Sequence, residues 1–236
     1  MCSSDLYLDQ HCNEFTGDFT VVCGDWEFLD GATLTSSTRG TRSGGAIGWI
    51  SRTTGDSSTV WAATTQGRLF ISKNADADPA STVTFTRLDT LDASSPNRAI
   101  SSISIDPTNP NHAYVSYLSY NELITNGGQT PQPGHVFSVT YDPIAGTATW
   151  TNLEGTGTQI GNQPVNGVAY DSVKGDLYAS TDFGVVKLAG ASAANGWTLA
   201  APGLPVVTVA GLTINPSARQ LLAATHGRGA YQLTLP

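Results

Sequence analysis

The sequence predicts an all-β chain, a β-propeller of four-stranded antiparallel blades, present as an incomplete arc of three full blades plus partial ones. Three observations predict it. The first is a short phrase that recurs: V-W-A-A-T-T-Q-G-R from Val60 to Arg68, L-Y-A-S-T-D-F-G-V from Leu177 to Val185, and L-L-A-A-T-H-G-R-G from Leu221 to Gly229. A looser copy, A-Y-V-S-Y, begins at Ala113. Large apolar residues at Trp61, Tyr114, Tyr178 and Leu222 anchor the copies, with steps of 53, 64 and 44 residues. Self-similarity at such a period marks an array of like supersecondary units.

The second observation lies upstream of each phrase. Ile100–Pro107, Val165–Ser172 and Val209–Pro216 alternate apolar and small or polar residues, then end in Asp or Asn followed by Pro or Ser. Period-two alternation is a strand signal, and Asp-Pro or Asn-Pro supplies the turn. The third observation lies downstream. A strand comes after the glycine (Leu69–Ser72, Val136–Val139, Val185–Leu188, Tyr231–Leu233), and then a short aromatic one. The aromatic segments are Phe85-Thr-Arg-Leu88, Trp150-Thr-Asn-Leu153, Trp197-Thr-Leu-Ala200 and, alone near the start, Trp26-Glu-Phe-Leu29. Four short strands in roughly 40–50 residues is the arithmetic of a propeller blade.

In chain order this gives a lone outer strand at Trp26, blades at 46–98, 99–164 and 165–205, and an incomplete blade at 206–236. Residues 7–45 read as an N-terminal loop carrying that lone strand. The first six residues, Met-Cys-Ser-Ser-Asp-Leu, are what GTG-TGC-TCT-TCC-GAT-CT encodes when GTG serves as the start codon, a string resembling the end of a sequencing adapter. Residues 1–6 are therefore set aside, and the expected partners include upstream propeller blades of the same parent chain.

Composition bounds the function. With 13% charged residues and 25 glycines the chain is a turn-rich β-protein. A formal net charge of −8, with eleven scattered Lys and Arg, disfavours nucleic acid as a partner. No apolar run approaches the roughly 20 residues of a membrane span.

The strings I-S-S-I-S-I-D-P-T-N-P-N-H-A-Y, G-D-L-Y-A-S-T-D-F-G-V and A-A-T-H-G-R-G-A-Y-Q-L resemble the bacterial neuraminidase-repeat and sortilin-type propellers over about residues 20–236. The Asp-box turn of that group is present only in eroded form, at Ser72–Asp76 and at Ser192–Thr198. The resemblance implies secretion, and it is specific for repeat type, not for activity. In a secreted chain, Cys12 and Cys23 read best as a disulfide closing a polar loop, with two unpaired thiols as the alternative.

In propellers of this kind ligands meet the turns between second and third strands, around the central channel. The repeat alignment puts Thr65, Asp182 and His226 at equivalent positions there, with Arg68 and Arg228 nearby. Blade two carries instead an insertion, Leu118–Gly134, with Tyr120 and Glu122. The candidate ligand-binding set is therefore Asp182, His226, Arg228, Arg68, Tyr120 and Glu122; the bland reading is that polar residues at such turns only satisfy backbone groups. Glycoside hydrolysis needs two carboxylates facing across the sugar; Asp182 and Glu122 are candidates, whereas Asp106 and Asp171 sit in strand-end turns. A sialidase-like arginine cluster is not evident, and no metal site, cofactor motif or nucleophile elbow appears. The expectation is a secreted module binding extracellular carbohydrate or a protein surface, without a cofactor; the alternative is a glycoside hydrolase, sialidase-like or glucan-hydrolysing, with further catalytic groups in other blades.

Overall fold

The computed structural model describes residues 7–9, 26–30, 33–53, 55–125, 128–131, 133–155 and 160–236. Cys12 and Cys23 lie outside these residues, as do residues 1–6. Two short strands, β1 (Tyr7–Asp9) and β2 (Trp26–Phe28), pair with each other. Blade I contains β3 (Ile47–Arg52), β4 (Val60–Thr64), β5 (Leu69–Ser72) and β6 (Thr86–Arg87). Blade II opens with β7 (Ile100–Asp106) and β8 (Asn109–Tyr117), then inserts a hairpin of β9 (Glu122–Thr125) and β10 (Gly128–Pro131). It closes with β11 (Val136–Asp142) and β12 (Thr147–Asn152). Blade III is β13 (Val165–Asp171), β14 (Asp176–Thr181), β15 (Gly184–Leu188) and β16 (Trp197–Leu199); blade IV stops after β17 (Val209–Asn215), β18 (Gln220–Thr225) and β19 (Gly229–Thr234). The only helices among the described residues are 3-10 turns of three residues. Three complete blades and one three-stranded blade make a four-bladed propeller.

Every blade is an antiparallel meander with its first strand at one edge. The first strands pack serially, β3 on β7, β7 on β13 and β13 on β17, which puts them around one central channel. No comparable packing among the described residues joins β17 back to β3. The array has a seam there.

Each first strand carries the same irregularity near its start. Register shifts fall between Ile47 and Trp49, Ile100 and Ser102, Val165 and Gly167, and Val209 and Gly211. A bulge sharpens local twist and re-aims a side chain. Two of the bulged residues then reach the following blade: the Ser101 hydroxyl donates to the Val165 carbonyl at 2.6 Å, and Asn166 Nδ2 donates to the Val209 carbonyl at 3.2 Å. Alternation in the sequence showed these strands but not their bulges, because a one-residue slip leaves the residue types unchanged.

The core lies between blades. Trp61, Leu69, Ile71 and Leu88 of blade I pack with Val115, Phe137, Val139 and Trp150 of blade II. Tyr114, Val136 and Leu153 of blade II pack with Leu177, Leu188 and Trp197 of blade III. Tyr178 and Val185 of blade III meet Leu221 and Ala223 of blade IV. The other face of blade I is covered by the N-terminal segment: Leu34 and Leu29 pack with Ala62, Phe70, Val83 and Phe85.

Candidate functional site

One end of the channel is built by the turns after each second strand and the segments leading into each first strand. In three blades the same hydrogen bond defines it: the N–H of Thr65, Leu118 and His226 donates to the carbonyl of Ala46, Ala99 and Thr208, at 2.9, 2.9 and 2.8 Å. Lateral contacts join the turns into one rim. The Asn121 N–H donates to Asn162 Oδ1 at 2.7 Å, Asn166 Nδ2 donates to Asp182 Oδ1 at 3.1 Å, and the Thr208 hydroxyl donates to the Asp182 carbonyl at 3.4 Å.

The expected residues divide at this rim. Asp182 is partly exposed and oriented by Asn166. His226 and Arg228 lie on the blade IV turn, and both are exposed. Tyr120 is 56% exposed, and its carbonyl accepts from buried Arg98 at 2.8 Å, which fixes the Leu118–Asn121 turn. Glu122 begins β9, one strand of the inserted hairpin. Arg68 is placed otherwise. It is fully buried, and its guanidinium donates to the carbonyls of Leu34, Ser36, Gly40 and Thr41, at 2.8, 2.9, 2.6 and 2.9 Å. Its fork pins the N-terminal segment across blade I and faces no solvent. Desolvation holds its pKa below the ordinary arginine value.

Two aromatic residues escaped the repeat alignment. Phe183, beside Asp182, is 65% exposed on the blade III turn. Trp49 occupies the first strand of blade I at the position that pairs with Ala63; its equivalents are Ser102, Gly167 and Gly211, which pair with Ser116, Ser180 and Ala224. These four residues line a common cavity of about 380 Å³ along the seam. One indole fits in the channel because three neighbours are small, and its Nε1 donates to the Ile103 carbonyl at 3.1 Å. Aligning the four first strands would have revealed the size contrast.

Beyond Trp49, towards the turns that end each first strand, a cavity of about 320 Å³ is lined by Ser51, Arg52, Ser104, Tyr170 and Thr213. Asp171 at this end is committed to structure. Arg219 of blade IV grips it with two hydrogen bonds at 2.7 and 2.8 Å, which holds its carboxyl below the usual range. Asp106 is likewise below that range, held there by Thr108 and His112 against the opposing effect of burial. Among the described residues no cluster of His, Cys, Asp and Glu has the geometry to hold a metal ion, and no helix is long and apolar enough to cross a membrane.

No protein-family model and no curated protein matches the chain. Solved structures do. An ancestral GH74 enzyme superposes with a TM-score of 0.52 at 17% sequence identity, over 85% of this chain and 23% of that one. The extracellular domain of a putative one-component system from B. thetaiotaomicron gives a TM-score of 0.49 at 18% identity, over 75% of this chain and 20% of that one. The chain thus spans less than a quarter of the length of either structure. At such identity the GH74 likeness establishes shared fold and nothing of chemistry.

Proposed function

We propose that this chain is a propeller module of the bacterial neuraminidase-repeat or sortilin-like kind that works outside the cell, binding carbohydrate or a protein surface at the rim of its channel. The observation that carries the reading is the pair of exposed rings, Tyr120 and Phe183, on neighbouring turns of one rim. Large exposed aromatics next to fixed polar groups are the surface chemistry that grips sugar faces and protein hot spots. Asp182, held by Asn166, supplies an oriented acceptor, and His226 and Arg228 supply donors. Extracellular placement rests on the low charged fraction and the resemblance of the repeats.

The hydrolase alternative gains no specific support from the geometry. Asp106 and Asp171 are occupied with turns and an ion pair.

A glycan array and a binding screen against extracellular matrix or cell-wall proteins test the proposal. Binding should be lost in the Tyr120→Ala/Phe183→Ala double variant with an unchanged melting temperature, since both rings are solvent-facing. A ligand whose affinity is unmoved by that double variant would place binding elsewhere and refute the rim assignment. Release of reducing sugar from a bound glycan would instead favour the hydrolase.

A further inference from the structure

The complete blades follow a serial rule in their outer strands. The Leu88 N–H donates to the Leu69 carbonyl, Leu153 to Val136 and Ala200 to Val185, at 2.8, 2.9 and 3.0 Å, so Leu88, Leu153 and Ala200 are equivalent positions. The outer-strand tryptophan of the next blade sits against each of the first two. Trp150 Nε1 donates to the Leu88 carbonyl at 3.3 Å, and Trp197 Nε1 to the Leu153 carbonyl at 2.9 Å. Phe85 and Leu29 lie in the corresponding cluster at the start of the array. Within its own blade each tryptophan pairs with the third strand, Trp150 with Val139 and Trp197 with Leu188.

Blade IV has the matching seat without the strand. Leu233 pairs with Leu221 as Leu188 pairs with Leu177, so Leu233 is where a fourth strand would place its tryptophan. β19 is the outer edge of its sheet. Beside it lies an apolar cavity of about 240 Å³ lined by Val185, Ala200, Leu204, Leu221, Tyr231 and Leu233. Val185, Ala200, Leu221 and Leu233 correspond to Val136, Leu153, Leu177 and Leu188, the residues that cluster with Trp197. A cavity of about 150 Å³ suffices for a benzene ring. No hydrogen bond among the described residues reaches the Ala200 carbonyl, the acceptor the rule assigns to the incoming indole.

We infer that the β19 edge and this groove form an acceptor site for an extended peptide strand led by tryptophan, added antiparallel to β19 with its ring beside Ala200. Edge addition supplies main-chain hydrogen bonds and the groove supplies side-chain selectivity, the usual division in strand addition. The occupant is a strand of the pattern Trp-x-x-Leu, as in Trp150–Leu153 of blade II and in Trp26–Leu29. The chain's own remaining copy, Trp26–Phe28, is paired with Tyr7–Asp9 and not with β19.

The test is fluorescence anisotropy with the intact chain and a labelled, end-capped peptide of residues 24–31, Gly-Asp-Trp-Glu-Phe-Leu-Asp-Gly. Saturable binding is expected. Replacing the peptide's Trp26 with Ala should weaken it at least tenfold by emptying the groove, and Glu27→Pro should weaken it by disrupting strand pairing. In the protein, Ala200→Trp should block binding by filling the groove in place; Leu233→Glu, on the partly exposed edge, gives the same readout should Ala200→Trp fail to fold. Absence of saturable binding, equal binding of the Trp26→Ala peptide, or free indole binding as tightly as the peptide would each overturn the inference.

Discussion

Blades III and IV are written with nearly the same second strand, L-Y-A-S-T against L-L-A-A-T, yet they live in different environments. All six residues of β14 are buried, whereas β18 alternates, with Leu221 and Ala223 buried and Leu222 and Ala224 exposed. The anchor positions make the contrast sharpest: Tyr178 is 2% exposed between blades III and IV, while its counterpart Leu222 is 40% exposed. Blade III has a neighbour on both faces, a fourth strand and Trp197. Blade IV has one covered face, three strands and an open groove. A repeat unit cannot bury both faces alone, so in an array the same residue is core or surface according to its neighbours.

The largest expected effect is at the outer strand of blade III. Trp197 is 1% exposed and its indole N–H is bonded across to blade II, so Trp197→Ala should cost about 3–5 kcal/mol by chemical denaturation. Leu233→Ala, at the matching third-strand edge of blade IV, should cost no more than about 1.5 kcal/mol, since its groove is already open. Equal losses would mean that blade IV is as well covered as blade III.

Next come the anchors themselves. Tyr178→Ala should cost about 3 kcal/mol, and Leu222→Ala less than about 0.5 kcal/mol. Native-state hydrogen exchange should agree, with β14 amides protected towards the global unfolding free energy and β19 amides exchanging through smaller openings. Uniform protection across both blades would remove the distinction.

A smaller effect concerns the ion pair between the two blades. Arg219 holds the Asp171 carboxyl below its ordinary value, and the unfolded chain should titrate near that ordinary value of about 4. The unfolded state therefore takes up the proton first as pH falls. The contribution is present above about pH 4 and is lost as pH drops through the lower folded value. Stability measured from about pH 6 to about pH 2 should fall less steeply in Asp171→Asn than in the parent chain; identical acid limbs would show that the pair does not couple the blades.

The channel rim was legible in outline. Repeat alignment located the turns of Asp182 and His226 because turn residues keep a fixed offset from a recurring strand. It could not place Arg68, whose neighbour in sequence is a turn but whose guanidinium turns back under residues 34–41. Phe183 and Trp49 were visible as letters. Their exposure depends on which blades stand beside them.

The sequence by itself determined the all-β class, the strand order within a repeat and the aromatic outer strands, because alternation, Asp-Pro turns and the recurring phrase are local and each is read within one repeat. Only the tertiary structure decided that Trp49 lines a channel opposite small residues, that first strands are bulged, and that Leu222 faces solvent where Tyr178 is core. Those outcomes depend on packing between segments 40 or more residues apart, and burial is a property of the neighbour as much as of the residue.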